Sequence, residues 1–265
     1  FPPHKAYAEV FGGAASMLLL KCPAQAEVYN DLDGRVVTFF RVLQNHATAA
    51  ELQRRCALTP YARASLEWSF GEPADDVDAA HRLVVRSFMG HGSDSATRTT
   101  RTGFRARLTD GRALPSAEWS TWPEVIPALR DRLMRVLIEN DRAERIIDRM
   151  DGPDTLIYCD PPYVHATRTG KTGNSGSNGY LHEMSDEDHE ALLLRLQTVR
   201  SMVALSGYPS DMYEDMLASW ERYERRAVAD TAKFRTEVVW LNPACSAALA
   251  RSHGGLFHEP HEAMA

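Results

Sequence analysis

Short apolar runs alternate along the chain with longer segments in which apolar side chains recur every three or four positions, the rhythm of strands feeding helices. Ala6 to Phe11 reads as a first strand, Gly12-Gly13 as a tight turn and Ala14 to Lys21 as a helix. Ala26 to Asn30 is a second strand, and Asp33 to Gln44 an amphipathic helix with Val36, Val37, Phe39, Phe40 and Leu43 inward. From about Ala47 to Arg130 this rhythm stops. A stretch of that length is not a loop, so an inserted, mainly helical subdomain is expected there, its core closed by Trp119, Trp122 and Pro123. The alternation resumes with a strand at Arg135 to Glu139, a helix through Arg149 and a strand at Thr155 to Cys159. Ser185 with Asp188 makes a capping box for a helix running to Arg200. Met202 to Ser206 is a further strand, Pro209 to Trp220 a helix, and Arg222 to Ala229 pairs with Thr236 to Leu241 as a terminal hairpin, so the sheet ends antiparallel. The residues beyond 245 read as a frayed tail.

The strand at Thr155 to Cys159 ends in Asp160-Pro161-Pro162-Tyr163. Two consecutive prolines fix φ and push Asp160 out of the helical region, holding its carboxylate, the Pro161 carbonyl and the Tyr163 ring at a strand end. That set suits a planar base carrying an amino group. The carboxylate and the carbonyl each accept one amino hydrogen while the ring stacks on the base. A proline-rich loop with an incidental aspartate is the plainer alternative. Alternation turns Cys159 away from Asp160 and into the core.

Upstream, Gly12-Gly13 lets backbone N–H groups approach a ligand closely, as nucleotide-type cofactor loops do, although a plain turn between strand and helix has the same look. Asp31 follows the glycines by about twenty residues, where a carboxylate accepts hydrogen bonds from a ribose diol. Its competing role is helix capping, since Asp31 and Asp33 both precede the helix.

Net charge restricts the partners. At −6 the protein does not coat nucleic acid by bulk charge, so any such contact needs a local basic patch. Ala96 to Arg107 supplies one, with Arg98, Arg101, Arg105 and Arg107 among threonines and no acid until Asp110. Arginines and hydroxyls suit phosphate contacts, and an arginine reads guanine bidentately; a solvated surface loop is the alternative. A second basic stretch, the Gly- and Ser-rich segment from His165 to Tyr180, carries Arg168 and Lys171 beside the motif. Cys22, Cys56, Cys159 and Cys245 lack metal-ligand or short disulfide spacing, which fits a reduced cytoplasmic protein. No apolar run is long enough to span a bilayer and no signal peptide is expected; the chain starts at Phe1 rather than Met, so upstream residues are expected to be missing. His182, Glu183, Asp186, Asp188 and His189 look superficially like metal ligands, but capping accounts for the acids, and no metal is expected.

Asp160-Pro161-Pro162-Tyr163 resembles the catalytic motif of the Dam-like class of DNA adenine methyltransferases, which use S-adenosylmethionine, and the likeness covers nearly the whole chain. The resemblance implies an α/β fold: a Rossmann-like, mixed seven-stranded methyltransferase sheet with an inserted, mainly helical target-recognition domain. It divides the chain into a discontinuous catalytic domain, 1–46 and 131–245, an insertion at 47–130 and a tail at 246–265. It implies methyl transfer to the exocyclic amino group of a flipped adenine in double-stranded DNA, with Asp160, Pro161, Pro162 and Tyr163 catalytic. Glu9, Phe11, Gly13, Asp31, Asp141 and Asp160 are the implied cofactor contacts. The family's Glu-Pro-Phe-x-Gly-x-Gly loop is matched at Glu9, Phe11 and Gly13, but Val10 replaces the proline and Ala15 the last glycine. Its Lys-x-x-Gly-Gly-Lys-like segment would lie upstream of Phe1. The implied protein is a bacterial or phage-encoded monomer with DNA as partner and a cognate restriction endonuclease as a second candidate. RNA, cytosine or a protein amide as acceptor, and a binding module without turnover, remain the alternatives.

Overall fold

The computed structural model describes residues 1–91, 101–106, 114–164, 183–228 and 234–254. In chain order the elements begin β1 (Ala6–Glu9), α1 (Ser16–Leu20), β2 (Ala26–Asn30) and α2 (Gly34–Gln44). A helical stretch follows: α3 (His46–Leu58), α4 (Arg63–Ser69), α5 (Asp76–Met89), α6 (Pro115–Thr121), a 3-10 turn (Trp122–Val125) and α7 (Ile126–Leu133). The strand and helix alternation returns with β3 (Val136–Glu139), α8 (Ala143–Met150), β4 (Thr155–Cys159), α9 (Asp186–Thr198), β5 (Met202–Gly207) and α10 (Asp211–Met216). The chain closes with β6 (Glu221–Val228), β7 (Phe234–Leu241) and α11 (Pro243–Gly254).

The seven strands form one sheet in the order β3-β2-β1-β4-β5-β7-β6. The first five run parallel, and β7 is antiparallel to both β5 and β6. This is a Rossmann-like mixed sheet. Strands buried on both faces need apolar side chains at successive positions, and β4 and β5 have them. Leu156, Met202 and Ala204 join one core cluster, while Ile157, Cys159, Val203 and Leu205 join the other. Strand order reverses between β1 and β4, and open sheets of this kind leave a crevice beyond the carboxyl ends of the strands at that reversal.

Helices α3 to α7 pack on α2 and on one another, and Leu52, Val84, Met89, Trp119 and Leu133 share the cluster that holds Tyr7 and Tyr29. Gln44 sews this layer to the sheet edge by donating to the carbonyls of Leu133 and Val136. Buried Glu27 does the same for α1 and α7, accepting from both Lys21 and Arg132. Of the three residues expected to close the core here, Trp119 and Pro123 are buried and Trp122 is half-buried against the same cluster.

Two expected elements differ. The helix expected from Pro209 to Trp220 spans only Asp211–Met216: the Ser210 side chain caps its start by accepting from the Tyr213 N–H, and Leu217 leaves helical geometry. The tail expected to fray carries α11 as far as Gly254, because Asn242 accepts from the Cys245 N–H at its start and Cys245 and Ala248 are buried on the sheet. The rest of that tail, 255–265, lies outside the described residues. Among the described residues no helix is long and apolar enough to cross a membrane.

Candidate functional site

The crevice is built from the ends of β1, β2 and β4. Past Glu9 the chain turns sharply: the Gly12 N–H donates to the Asn30 carbonyl at 2.8 Å and the Ala15 N–H to the Gly12 carbonyl at 2.7 Å. Gly12 is required by contact, since a Cβ there would fall 2.1 Å from the Tyr29 ring. That ring cannot yield, being fully buried with its hydroxyl donating to the Gly13 carbonyl at 2.8 Å. Gly13 and Ala15 both have positive φ, 47° and 55°. For the alanine this conformation costs on the order of 1 kcal/mol, and its methyl is buried where the resembled family has glycine. Replacing Gly12 by alanine should lower stability by about 1–3 kcal/mol through overpacking against Tyr29, read as a shifted denaturation midpoint at constant slope.

Asp31 anchors the loop from the other side. Its carboxylate accepts from the Gly13 N–H at 2.8 Å and from the Asp33 N–H at 2.7 Å. The capping role falls to Asp33, which accepts from the Arg35 N–H at the start of α2. Of the two roles the sequence left to Asp31, capping is therefore taken by its neighbour. Asn30, buried behind it, donates to the Val10 carbonyl and to the Asp141 carbonyl and accepts from the Asp141 N–H, tying the ends of β1, β2 and β3 together.

Across the crevice, Asp160 follows β4. Its Oδ1 accepts from the Ser206 hydroxyl at 2.8 Å, and the Tyr158 hydroxyl lies 3.0 Å from that same Ser206 oxygen. Solvent reaches the residue, yet the cleft walls displace enough water to raise the Asp160 carboxyl above the ordinary aspartate range. The Ser206 hydrogen bond opposes that shift and the charge of Glu237 adds to it. Tyr163 packs against Tyr208 with ring centroids 4.2 Å apart and planes tilted by 43°. Cys159 is fully buried, and burial pushes its thiol far up, so it is a core residue as expected.

Glu9 completes the acidic lining. It is only 2% exposed, and one of its oxygens accepts from the Tyr7 hydroxyl at 2.8 Å and from the Leu18 N–H at 2.7 Å. Burial pushes its carboxyl up to about 7, against the pull of those two bonds and with a further push from Asp160.

A cavity of about 800 Å³ joins these parts. Glu9, Phe11, Gly13 and Asp31 line it from the first half of the chain, and Asp160, Pro161, Pro162 and Tyr163 from the second. Its walls extend to apolar side chains of α2, α5, the 3-10 turn and α7, among them Phe40, Phe88, Trp122 and Leu129. Eight of the residues singled out in the sequence thus meet in one space. Asp141 is not among the lining residues; it accepts from the Arg142 N–H, and its carboxylate is 3.2 Å from Arg145 and 3.9 Å from Arg149.

Of the four arginines of the expected basic patch, Arg101 and Arg105 fall within the described residues. Gly90 and Phe104 form an antiparallel bridge, and Tyr61 donates to the Arg105 carbonyl. Arg101 lies 5.2 Å over the Phe70 ring, and Arg105 is 3.5 Å from Glu118. Arg98, Arg107, Arg168 and Lys171 lie outside the described residues. The acidic run before α9 is a capping box between Ser185 and Asp188. Among the described residues no three His, Cys, Asp or Glu side chains gather as metal ligands.

Tyr158 and Asn30 were not singled out as site residues. Tyr158 had a signal: two positions before Asp160 on a strand, it shares that residue's face. Asn30 had none, because its partners come from three separate strand ends. Compared with known proteins, the chain matches no family model and no curated protein.

Proposed function

We propose that this protein is an S-adenosylmethionine-dependent DNA adenine methyltransferase. The observation that carries the reading is that one cavity, at the strand-order reversal, is lined both by the glycine turn with Glu9 and Asp31 and by Asp160-Pro161-Pro162-Tyr163. The residues present fit the cofactor: Glu9, Asp31 and Asp160 make an acidic lining suited to a cation, and the turn at Gly12 and Gly13 leaves backbone close to the cavity. Bound there, S-adenosylmethionine supplies an electrophilic methyl group on a positively charged sulfur.

The chain's own residues do the rest. An exocyclic amino nitrogen is a poor nucleophile because its lone pair is delocalised into the ring. Asp160 and the Pro161 carbonyl, each accepting one amino hydrogen, return electron density to that nitrogen and fix its direction. Tyr163 stacks on the base, worth roughly 1–3 kcal/mol, which offsets much of the few kcal/mol needed to take it out of a duplex. No covalent enzyme intermediate is required. The deciding experiment is transfer of a labelled methyl group from S-adenosylmethionine to unmethylated duplex DNA, with RNA and protein as parallel acceptors. Binding of DNA and cofactor without transfer to any acceptor would favour the non-catalytic alternative.

In this reading the basic patch carries the DNA contact. Single alanine variants of Arg98, Arg101, Arg105 and Arg107 should divide into two kinds. Loss of a phosphate contact lowers affinity for all sequences and reduces the slope of log affinity against log salt by about 0.9. Loss of a base contact costs about 1–3 kcal/mol on the preferred site alone. Four variants with the parent's affinity and salt slope would move the DNA surface elsewhere.

A further inference from the structure

We propose that Ser206, backed by Tyr158, is the positioning residue for Asp160: a relay of two hydroxyls fixes Oδ1 of the carboxylate and leaves Oδ2 to a ligand. This rests on the reading of Asp160 as acceptor of an amino hydrogen. The relay follows from the proton count. A serine hydroxyl has one proton, and the Ser206 oxygen is 2.8 Å from Asp160 Oδ1 but 3.3 Å from the Cys159 carbonyl, so the carboxylate takes it. The Tyr158 hydroxyl, 3.0 Å from the Ser206 oxygen, is then the donor to it. Bonds arranged head to tail in this way polarise one another.

The sheet builds the relay. Strands β4 and β5 run parallel with Tyr158 beside Ala204 and Cys159 beside Leu205, which brings Ser206 level with Asp160. Tyr158 and Asp160 share one face by alternation, and Ser206 lies two residues beyond Ala204 on that same face. Among the described residues Asp160 Oδ2 has no hydrogen-bond partner. The chargeable groups that bear on the carboxylate are Glu237 from β7, Glu9 from β1, Tyr158 and Cys159 from β4 and Tyr213 from α10; the two glutamates favour its protonated form, while burial keeps the thiol and the phenols neutral. Ser206 acts against the glutamates, holding the carboxyl ionised and in one rotamer.

The test reads Asp160 directly. The whole protein, labelled with ¹³C at aspartate carboxyls, is titrated by NMR, with the Asp160 resonance assigned by its loss in Asp160→Asn. Ser206→Ala should move the Asp160 titration to higher pH, Ser206→Thr should restore it, and Tyr158→Phe should move it the same way by less. In the transfer assay Ser206→Ala should lower kcat about tenfold with little change in KM, the scale of one hydrogen bond to a charged group. The acid limb of its pH profile should move with the NMR titration. A serine that merely supported the strand end would change the melting temperature and leave both titrations in place. Unchanged Asp160 titrations in cooperatively melting Ser206→Ala and Tyr158→Phe proteins overturn the relay; if Ser206→Ala does not fold, Tyr158→Phe decides. A shifted titration in a protein that transfers no methyl group leaves the relay standing and removes the methyltransferase reading instead.

Discussion

Asp160→Ala is expected to lower methyl transfer by at least about 10²–10³-fold, the loss typical of removing one preorganised polar group from the reacting centre, and to leave the fold intact. The reasons are separable. In the proposed reading Asp160 supplies the negative end of the interaction with the amino group, and the Pro161 carbonyl alone would hold only one of two hydrogens. Its carboxyl, raised by the cleft, is destabilised in its charged form, so its removal takes no stability away near neutral pH. Cofactor binding should weaken without being lost, because Asp160 is one of three acids in the lining while the glycine turn and Asp31 belong to other strands. Tyr163→Phe should be mild, since a ring still stacks, and Tyr163→Ala more severe. The measurements are labelled-methyl transfer, calorimetric titration with S-adenosylmethionine and a thermal melt on the same preparations. Parental turnover by Asp160→Ala would falsify the assignment.

The sequence carried the strands of the crevice nearly to the residue. Ala26–Asn30 and Thr155–Cys159 stand where expected, because a short apolar run bounded by turn residues has few other solutions. Ser185 and Asp188 were legible for a similar reason: a capping box is local chemistry. What was not legible depends on partners far apart in the chain. Asn242-Pro243 and the alanines after it do suit a helix start, but what holds α11 in place is distant: Asn242 reaches back to Val203 on β5 and to Ser201 just before it, and Cys245 and Ala248 find a buried surface. Asp31 could be read as a cap or, with the family resemblance in its favour, as a ribose contact, and only the nearness of the Gly13 N–H, eighteen residues upstream, shows what it holds. Asn30 is harder still, its three hydrogen bonds spanning Val10 and Asp141. The motif at Asp160 was visible as rigid backbone, and Ser206-Gly207-Tyr208 as a strand end able to line the base side of the site; the Ser206 bond to the Asp160 carboxylate was not, because it depends on the β4 and β5 pairing.

Glu9 yields the largest expected effect on stability, and its sign is opposite to that of a salt-bridged acid. Burial raises the folded-state value from an ordinary 4.5 to about 7, so between those limits the folded protein holds a proton that the unfolded chain has lost. Stability should therefore be greatest below about pH 4.5 as far as this group is concerned, fall as pH rises, and level off above about 7. The full difference is about 3 kcal/mol. Buried His81, lowered to about 4 by desolvation, works the other way over pH 4–6.5, so the parent's profile alone does not isolate Glu9. The difference between parent and Glu9→Gln does. An amide keeps an acceptor for the Tyr7 hydroxyl and the Leu18 N–H without the charge, so Glu9→Gln should gain on the parent progressively from pH 5 to pH 8 in denaturant titrations. A cationic ligand reverses the balance, because it favours the ionised carboxylate. Affinity of the parent for S-adenosylmethionine should rise with pH through about 7, with proton release on binding near that pH, whereas Glu9→Gln should bind more weakly and show neither effect. Parallel stability profiles for the two proteins over pH 5–8 would mean that Glu9 is ionised throughout, and its hydrogen bonds from Tyr7 and Leu18 would then outweigh its burial.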